Sequence, residues 1–100
     1  KCGGIYPAAK LVHQAEMAGM ECQIGSMPES SIGSAAGAHL SIAKKNIVSN
    51  ELAGPFIFAK DVANLTCQGN QILLSDKPGF GVELDEAVLT QLTVRQETVS

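Results

Sequence analysis

The chain lacks an excess of positive charge. Its 100 residues carry seven lysine and arginine residues against ten acidic ones, a net charge of −3. Lys44-Lys45 is the one pair of adjacent basic residues, and cations are favoured at the end of a helix. Because there is no basic patch to neutralise phosphates, we expect no nucleic acid among the partners of this protein.

Long apolar runs are also missing. Those that occur are far too short to cross a bilayer, and the opening stretch KCGGIYP lacks the apolar core of a signal peptide. We therefore expect a cytoplasmic protein with no membrane partner. The chain opens without methionine, and its first residues read as the interior of a longer sequence, so we expect a piece of a larger protein.

Closely spaced cysteines are absent. Cys2, Cys22 and Cys67 are odd in number and widely separated, and no CxxC motif occurs. This spacing supports neither a zinc ribbon nor a redox motif. We expect the three residues to be small, buried thiols in a reducing compartment.

The first part of the chain does contain a regular alternation of patterns. Apolar residues at helical spacing predict helices at residues 6–18 and 31–44. Alternating polar and apolar residues predict strands at 20–26 and 47–52. Strands that recur about every 25 residues around a helix predict parallel pairing through a crossover helix. The second helix is rich in glycine and alanine, which lets it approach a sheet closely.

The pattern changes after Pro55. Residues 66–74 predict two short strands around the turn Gly69-Asn70, and residues 84–92 predict a last helix. We therefore divide the chain into β/α units at 1–55 and a second segment at 56–100. Two parallel strands cannot bury both faces of a sheet, so the sequence predicts neighbours beyond this segment.

One carboxylate, Glu29, stands among glycines, serines and a proline in the stretch GSMPESSIG. It follows a predicted strand and precedes a predicted helix, whose free amide groups we expect Ser30 or Ser31 to cap. No neighbour in this stretch is a salt-bridge partner. The pattern alone leaves two interpretations of this acid open, a solvated loop residue and a functional group.

Four segments in succession resemble the C-terminal end of the enolase superfamily: KCGGI, IGSMPESSIGSAAGAHL, ELAGP and KPGFGVELDE. They are most similar to the muconate lactonizing enzyme subgroup, which includes muconate cycloisomerases, dipeptide epimerases and o-succinylbenzoate synthases. The resemblance implies an α/β fold, the C-terminal part of a (β/α)7β TIM-like barrel. The two predicted strands would be barrel strands seven and eight. The second segment would be a hairpin and helix that return to the α+β capping domain.

The resemblance also implies a role for Glu29. The active sites of such barrels lie at the carboxyl ends of the strands, where Glu29 is predicted to lie. In muconate cycloisomerases, the glutamate of the matching M-x-E stretch is a proton donor near an enolate. A neutral Glu29 would donate to the enolate oxygen if burial raised its pKa. An ionised Glu29 would instead steady a lysine.

Four further positions match substrate-binding positions of the subgroup. Ser26 and Pro28 match positions at the seventh strand where dipeptide epimerases contact substrate. Glu51 and Ala53 match the eighth-strand pair that is Asp-x-Asp in many dipeptide epimerases, where the two acids hold an ammonium group. Here the pair reads Glu51-Leu52-Ala53, so one acid is missing, and ELAGP is closer to the muconate cycloisomerase form.

The resemblance further implies a Mg2+ cofactor whose acidic ligands, like the two catalytic lysines, lie outside this chain. We therefore expect part of a muconate cycloisomerase-like isomerase, inactive alone, that acts beside the carboxylate of a small substrate through an enolate. A dipeptide epimerase of the L-Ala-D/L-Glu type is the alternative enzyme. A non-catalytic unit that only packs or self-associates is the alternative of another class. The expected partners are the rest of the same chain and further copies in a homo-oligomer.

Overall fold

A computed structural model describes residues 1–99 of the protein. It contains four helices and four strands within those residues. In chain order they are α1 (Ile5–Met17), β1 (Cys22–Ile24), α2 (Ser31–Ala43), β2 (Ile47–Asn50), α3 (Gly54–Ile57), β3 (Thr66–Gln68), β4 (Gln71–Leu73) and α4 (Glu86–Leu92). The predicted α1 and α2 lie within one residue of the observed bounds. The prediction of a short hairpin followed by a last helix is also confirmed.

The strands β1 and β2 pair in parallel, as predicted, and α2 is the crossover between them. Both are shorter than the predicted 20–26 and 47–52. At the start, the Met20 amide donates to the Ala15 carbonyl at 2.8 Å, so Met20 lies in the turn that follows α1 and not in the strand. At the other end, the Ser26 amide donates to the Glu51 side chain instead of a strand carbonyl, and the ladder stops.

The core of the first part lies between α1, α2 and the short sheet. Val12, Leu40 and Ile47 form a buried cluster, and half-buried Ala8, Ala9, Cys22 and Ile24 pack against it. On β2, by contrast, Val48 is 57% exposed. The strand pair is therefore covered on one side by this chain, while apolar surface on β2 stays open.

The small residues of α2 let the helix lie directly on the strand ends. A Cβ added at Gly37 would stand 2.9 Å from Leu52 Cδ2 and 3.2 Å from Ile24 Cγ2, which is closer than carbon atoms normally pack. Glycine at this position therefore sets the distance between α2 and the ends of β1 and β2. The prediction that α2 is thin and closely packed is confirmed.

The second segment is held together mainly by local hydrogen bonds. The strands β3 and β4 form an antiparallel hairpin, and Ala63 bridges to Leu84. Asp85 caps α4 by accepting from the Val88 amide at 3.0 Å, and α4 contains no buried residue. The division of the chain near residue 55 stays a prediction.

The three cysteines are free. Cys22 and Cys67 are half-buried and Cys2 is exposed, so the prediction of buried thiols is wrong for Cys2, which precedes the packed part of α1. Burial raises the pKa of the Cys67 thiol. Among residues 1–99, no helix is long and apolar enough to span a membrane.

Candidate active site

Glu29 lies on the loop between β1 and α2, and its carboxylate is bound from three directions. The Ser26 hydroxyl donates to Oε1 at 2.9 Å, and the Met27 amide donates to Oε2 at 2.8 Å. The hydroxyl of Ser34, which is completely buried in α2, donates to Oε1 at 3.4 Å. Glu29 is therefore a fixed, half-buried acid and not a freely solvated loop residue.

These donors decide the charge of Glu29. Burial by itself would raise the pKa of the carboxyl group. Hydrogen bonds from the Met27 amide, the Ser26 hydroxyl, its own amide and the Ser34 hydroxyl outweigh burial, and the pKa of Glu29 is lowered. Of the two forms left open by the sequence, the contacts within this chain favour the ionised one.

Two glycines shape the space around Glu29. A Cβ at Gly33 would lie 2.9 Å from Glu29 Cβ and 3.2 Å from its Cγ. A Cβ at Gly54 would overlap the Glu29 carbonyl oxygen. The side chain of Glu29 thus lies against the first turn of α2, while its backbone lies against the start of α3.

Glu51 lies just beyond β2 and bridges to the end of β1. Its Oε2 accepts from the Ser26 amide at 2.9 Å, and its Oε1 accepts from Gln23 Nε2 at 3.4 Å. The Glu51 amide donates to the Ile24 carbonyl at 2.9 Å. The side chain is exposed, so the carboxylate holds the two strand ends together while one side of it stays open.

Ser26 connects the two acids. Its hydroxyl accepts from the Ala53 amide at 3.1 Å, so the hydroxyl proton is directed toward Glu29, to which it donates. The hydrogen-bond network therefore joins Ser26, Glu29, Glu51 and Ala53, four of the five residues predicted from the sequence. The fifth, Pro28, is exposed on the same loop and takes no part in the network.

Sequence reasoning missed three residues that support this network. Leu52 lies between the predicted pair with a φ of 43° and is 4% exposed, a backbone conformation that costs a residue other than glycine about 1–3 kcal/mol. It turns the chain so that Glu51 and Ala53 both reach Ser26. Gln23 and Ser34 add donors, but an exposed polar residue on a strand and a serine in a helix of small residues carry no distinctive signal in the sequence.

The network does not coincide with the groove beside the hairpin. That groove has a volume of about 490 Å³ and lies between α2, the end of β2 and the β3–β4 hairpin. Glu51 is its only charged lining residue, and Glu29 is not part of it. Among residues 1–99, no group of three or more histidine, cysteine or acidic side chains is placed to hold a metal ion. The residues present therefore do not form a Mg2+ site.

Polar side chains gathered at the carboxyl ends of neighbouring parallel strands are typical of α/β-barrel enzymes, whose active sites lie at that end. The chain belongs to the enolase C-terminal domain-like family, whose model matches residues 1–88. Its solved relatives are enolase-superfamily barrel enzymes, and the chain matches their C-terminal part. This confirms the fold class expected from the resemblance.

Several curated enzymes are similar to this chain. An N-succinyl-L-Arg/Lys racemase of Bacillus cereus is 58% identical over 99% of the chain and 27% of the relative. The crystal structure of the B. cereus N-succinyl Arg/Lys racemase superimposes with a TM-score of 0.96, at 57% identity, over 100% of this chain and 27% of that one. An L-Ala-D/L-Glu epimerase of Bacillus subtilis is 39% identical over 82% of the chain and 23% of the relative.

A muconate cycloisomerase of Rhodococcus opacus is 35% identical over 90% of the chain and 25% of the relative. The chain thus spans about a quarter of the length of the curated relatives it matches. The relatives are racemases, epimerases and cycloisomerases of the muconate lactonizing enzyme subgroup, which confirms the subgroup predicted from the four sequence segments.

Proposed function

We propose that the complete protein is a racemase of N-acylated amino acids, with N-succinyl-arginine or N-succinyl-lysine as the substrate class. The proposal depends mainly on the 58% identity to the N-succinyl-L-Arg/Lys racemase across 99% of the chain. The reaction would remove and return the proton on the carbon beside the carboxylate. It belongs to the same proton-transfer class as the isomerase predicted from sequence, with a different substrate.

The acid arrangement at the end of β2 supports an acylated substrate. A free ammonium group is best held by more than one carboxylate, as in the Asp-x-Asp pair of the dipeptide epimerases. This chain has the single acid Glu51, with Ala53 at the second position, and Glu51 already accepts hydrogen bonds from Ser26 and Gln23. An N-acyl amino acid has no ammonium group at this position and needs no second acid.

Glu29 would act in this reaction as a fixed negative charge. Its carboxylate accepts three hydrogen bonds from protein donors, so it is organised as an acceptor and its pKa is lowered. We propose that it orients and stabilises a cationic group, a lysine base in the part of the protein outside this chain. Ser26, Pro28, Glu51 and Ala53 would line the substrate pocket.

A bound Mg2+ would stabilise the negative charge that develops on the substrate carboxylate when the neighbouring proton leaves. Its ligands would belong to the rest of the protein, since residues 1–99 offer no such group. What this chain supplies is the oriented Glu29 and the wall of the pocket, held by packing and hydrogen bonds that need no metal.

Proton exchange in heavy water tests the proposal on the complete enzyme. We expect N-succinyl-L-arginine and N-succinyl-L-lysine to lose optical rotation and to gain deuterium at the α-carbon. The comparison substrates are L-Ala-L-Glu, other dipeptides and cis,cis-muconate. Turnover confined to dipeptides would replace the proposal with the epimerase function, and turnover confined to muconate would replace it with the cycloisomerase function.

The epimerase is the second candidate function. It is favoured by 39% identity to the B. subtilis L-Ala-D/L-Glu epimerase and by similarity, at 34% identity, to a Methylococcus capsulatus dipeptide epimerase solved with Mg and a dipeptide. The missing acid at Ala53 weighs against it. Introducing that acid by Ala53→Asp is the direct comparison, and a gain in dipeptide turnover would support the ammonium-binding interpretation of this position.

A further inference from the structure

The start of α2 is capped by an acid from far along the chain. The Ser31 amide donates to both oxygens of Asp61, at 3.1 and 2.9 Å, and the Ser31 hydroxyl donates to Oδ2 at 2.7 Å. Ser31 is 3% exposed. The same hydroxyl accepts from the Leu65 amide at 3.4 Å. The second segment is therefore tied to the first turn of α2 by partly buried hydrogen bonds.

No residue adjacent to α2 in the sequence caps the helix with its side chain. Ser30, the residue before α2, makes no side-chain capping bond, and the first turn contains no acid, so the prediction of a serine cap is wrong. Ser30 has an extended backbone, and the free amide of Ser31 donates to the nearby Asp61 side chain instead. A carboxylate at this position also interacts favourably with the helix dipole.

The first turn of α2 is also the surface that holds Glu29. The Ser34 hydroxyl donates to the Glu29 carboxylate, and the Glu29 side chain leaves no room for a Cβ at Gly33, which would stand 2.9 Å from Glu29 Cβ. The Ser34 amide donates to the Ser30 carbonyl at 2.9 Å, so these groups move as one turn. A shift of this turn would carry Ser34 away from Glu29.

We propose that Asp61 is a positioning residue for the reaction, and that it keeps Glu29 oriented by fixing the first turn of α2. The inference rests on the proposed function, because Asp61 acts only through Glu29 and touches no reacting group. It assigns a role in the active site to the second segment, which otherwise contributes no side chain to the network. Misplacement of a catalytic group by about 1 Å can cost up to a hundredfold in rate.

The test uses the complete enzyme and three variants. We expect Asp61→Ala to lower kcat about tenfold with little change in KM, because an interaction needed in the transition state is disturbed. Asp61→Asn keeps one oxygen acceptor for the Ser31 amide, so we expect it to restore most of kcat. The matched control is Asp85→Ala, which removes the cap of α4 and is expected to leave kcat unchanged.

A double-mutant cycle with Glu29→Gln separates positioning from general loss of structure. If Asp61 acts through Glu29, then Asp61→Asn and Asp61→Ala have no further effect on kcat once Glu29 is replaced. Full additivity of the two changes would overturn the inference, and so would an Asp61→Ala enzyme whose kcat matches that of Asp85→Ala. A wild-type enzyme that does not racemise N-succinyl amino acids would instead overturn the proposed function, and the cycle would be measured on the substrate it turns over.

Discussion

The two parts of this chain differ in how they are stabilised. The first, residues 1–55, has a buried cluster of Val12, Leu40 and Ile47 and carries the whole Glu29 network. The second has a helix with no buried residue, and its acids are exposed except for Asp61, which is half-buried against Ser31. The difference shows that the fixed chemical groups lie where side chains are packed, whereas the second part contributes by tying itself to that packed unit.

Gly54, at the start of α3, lies against the backbone of Glu29, and a side chain added there should have the largest effect. We expect Gly54→Ala to destabilise the protein by about 3 kcal/mol or more, because the added carbon overlaps a backbone oxygen. Urea denaturation of the complete chain measures this.

Gly25→Ala is the matched control, since its added carbon would meet Glu51 Oε2 at an ordinary 3.8 Å. Equal stability of the Gly54→Ala and Gly25→Ala variants would contradict the close approach of α3 to the Glu29 loop.

Packing in the first part should be more costly to remove than packing in the second. We expect Leu40→Ala, at a residue 8% exposed, to cost about 2–5 kcal/mol of unfolding free energy. Leu92→Ala, at a residue 49% exposed, should cost under about 1 kcal/mol. Thermal unfolding of the two variants side by side makes the comparison, and similar losses would remove the proposed distinction between the parts.

The two acids with lowered pKa values provide a functional contrast. Glu29→Gln should lower kcat about a hundredfold, because an amide cannot supply the fixed charge. Glu83→Gln should leave kcat within about twofold, since Glu83 is an exposed partner of Lys77. Steady-state kinetics on the complete enzyme measures both. An unchanged kcat in Glu29→Gln would end its proposed role.

The smallest expected effect is that the pKa of Glu83 depends on salt concentration more strongly than the pKa of Glu29. Burial opposes the lowering of the Glu29 pKa, which arises from neutral donors, while the pKa of Glu83 is lowered by a hydrogen bond and by the charge of Lys77. Ions screen exposed charge pairs. Carboxyl NMR titrations in low and high salt should therefore show the pKa of Glu83 rising and that of Glu29 nearly constant. A comparable rise for both would mean that charge, not neutral donors, holds Glu29.

The lowered pKa of Glu29 also fixes the sign of its pH dependence. A carboxyl group whose pKa is lower in the folded state stabilises the protein above its unfolded pKa, here 4.5. That stabilisation is lost as the pH falls through the folded value. The stability difference between wild type and Glu29→Gln should therefore shrink in acid. A difference that grows below pH 4.5 would show that the carboxyl group is stabilised in its neutral form.

Much of the architecture was predictable because local patterns agree with the fold. The periodicity that predicts α1 and α2, the turn at Gly69-Asn70 and the four family-like segments all depend on neighbouring residues. The position of Glu29 after β1 was predictable for the same reason. The lowering of its pKa was not, because that depends on how the fold places the Met27 amide, a Ser26 hydroxyl oriented by Ala53, and the Ser34 hydroxyl around the carboxylate.

By itself the sequence determined the order of helices and strands, their parallel pairing and the family of the protein, since side-chain spacing and short motifs carry that information. Only the tertiary structure decided that Asp61 rather than Ser30 caps α2, that Leu52 adopts a left-handed turn and that Glu51 binds back to the end of β1. The Asp61 and Glu51 contacts join residues 30 and 25 positions apart. Hydrogen bonds of that range depend on how the chain packs, which no local pattern records.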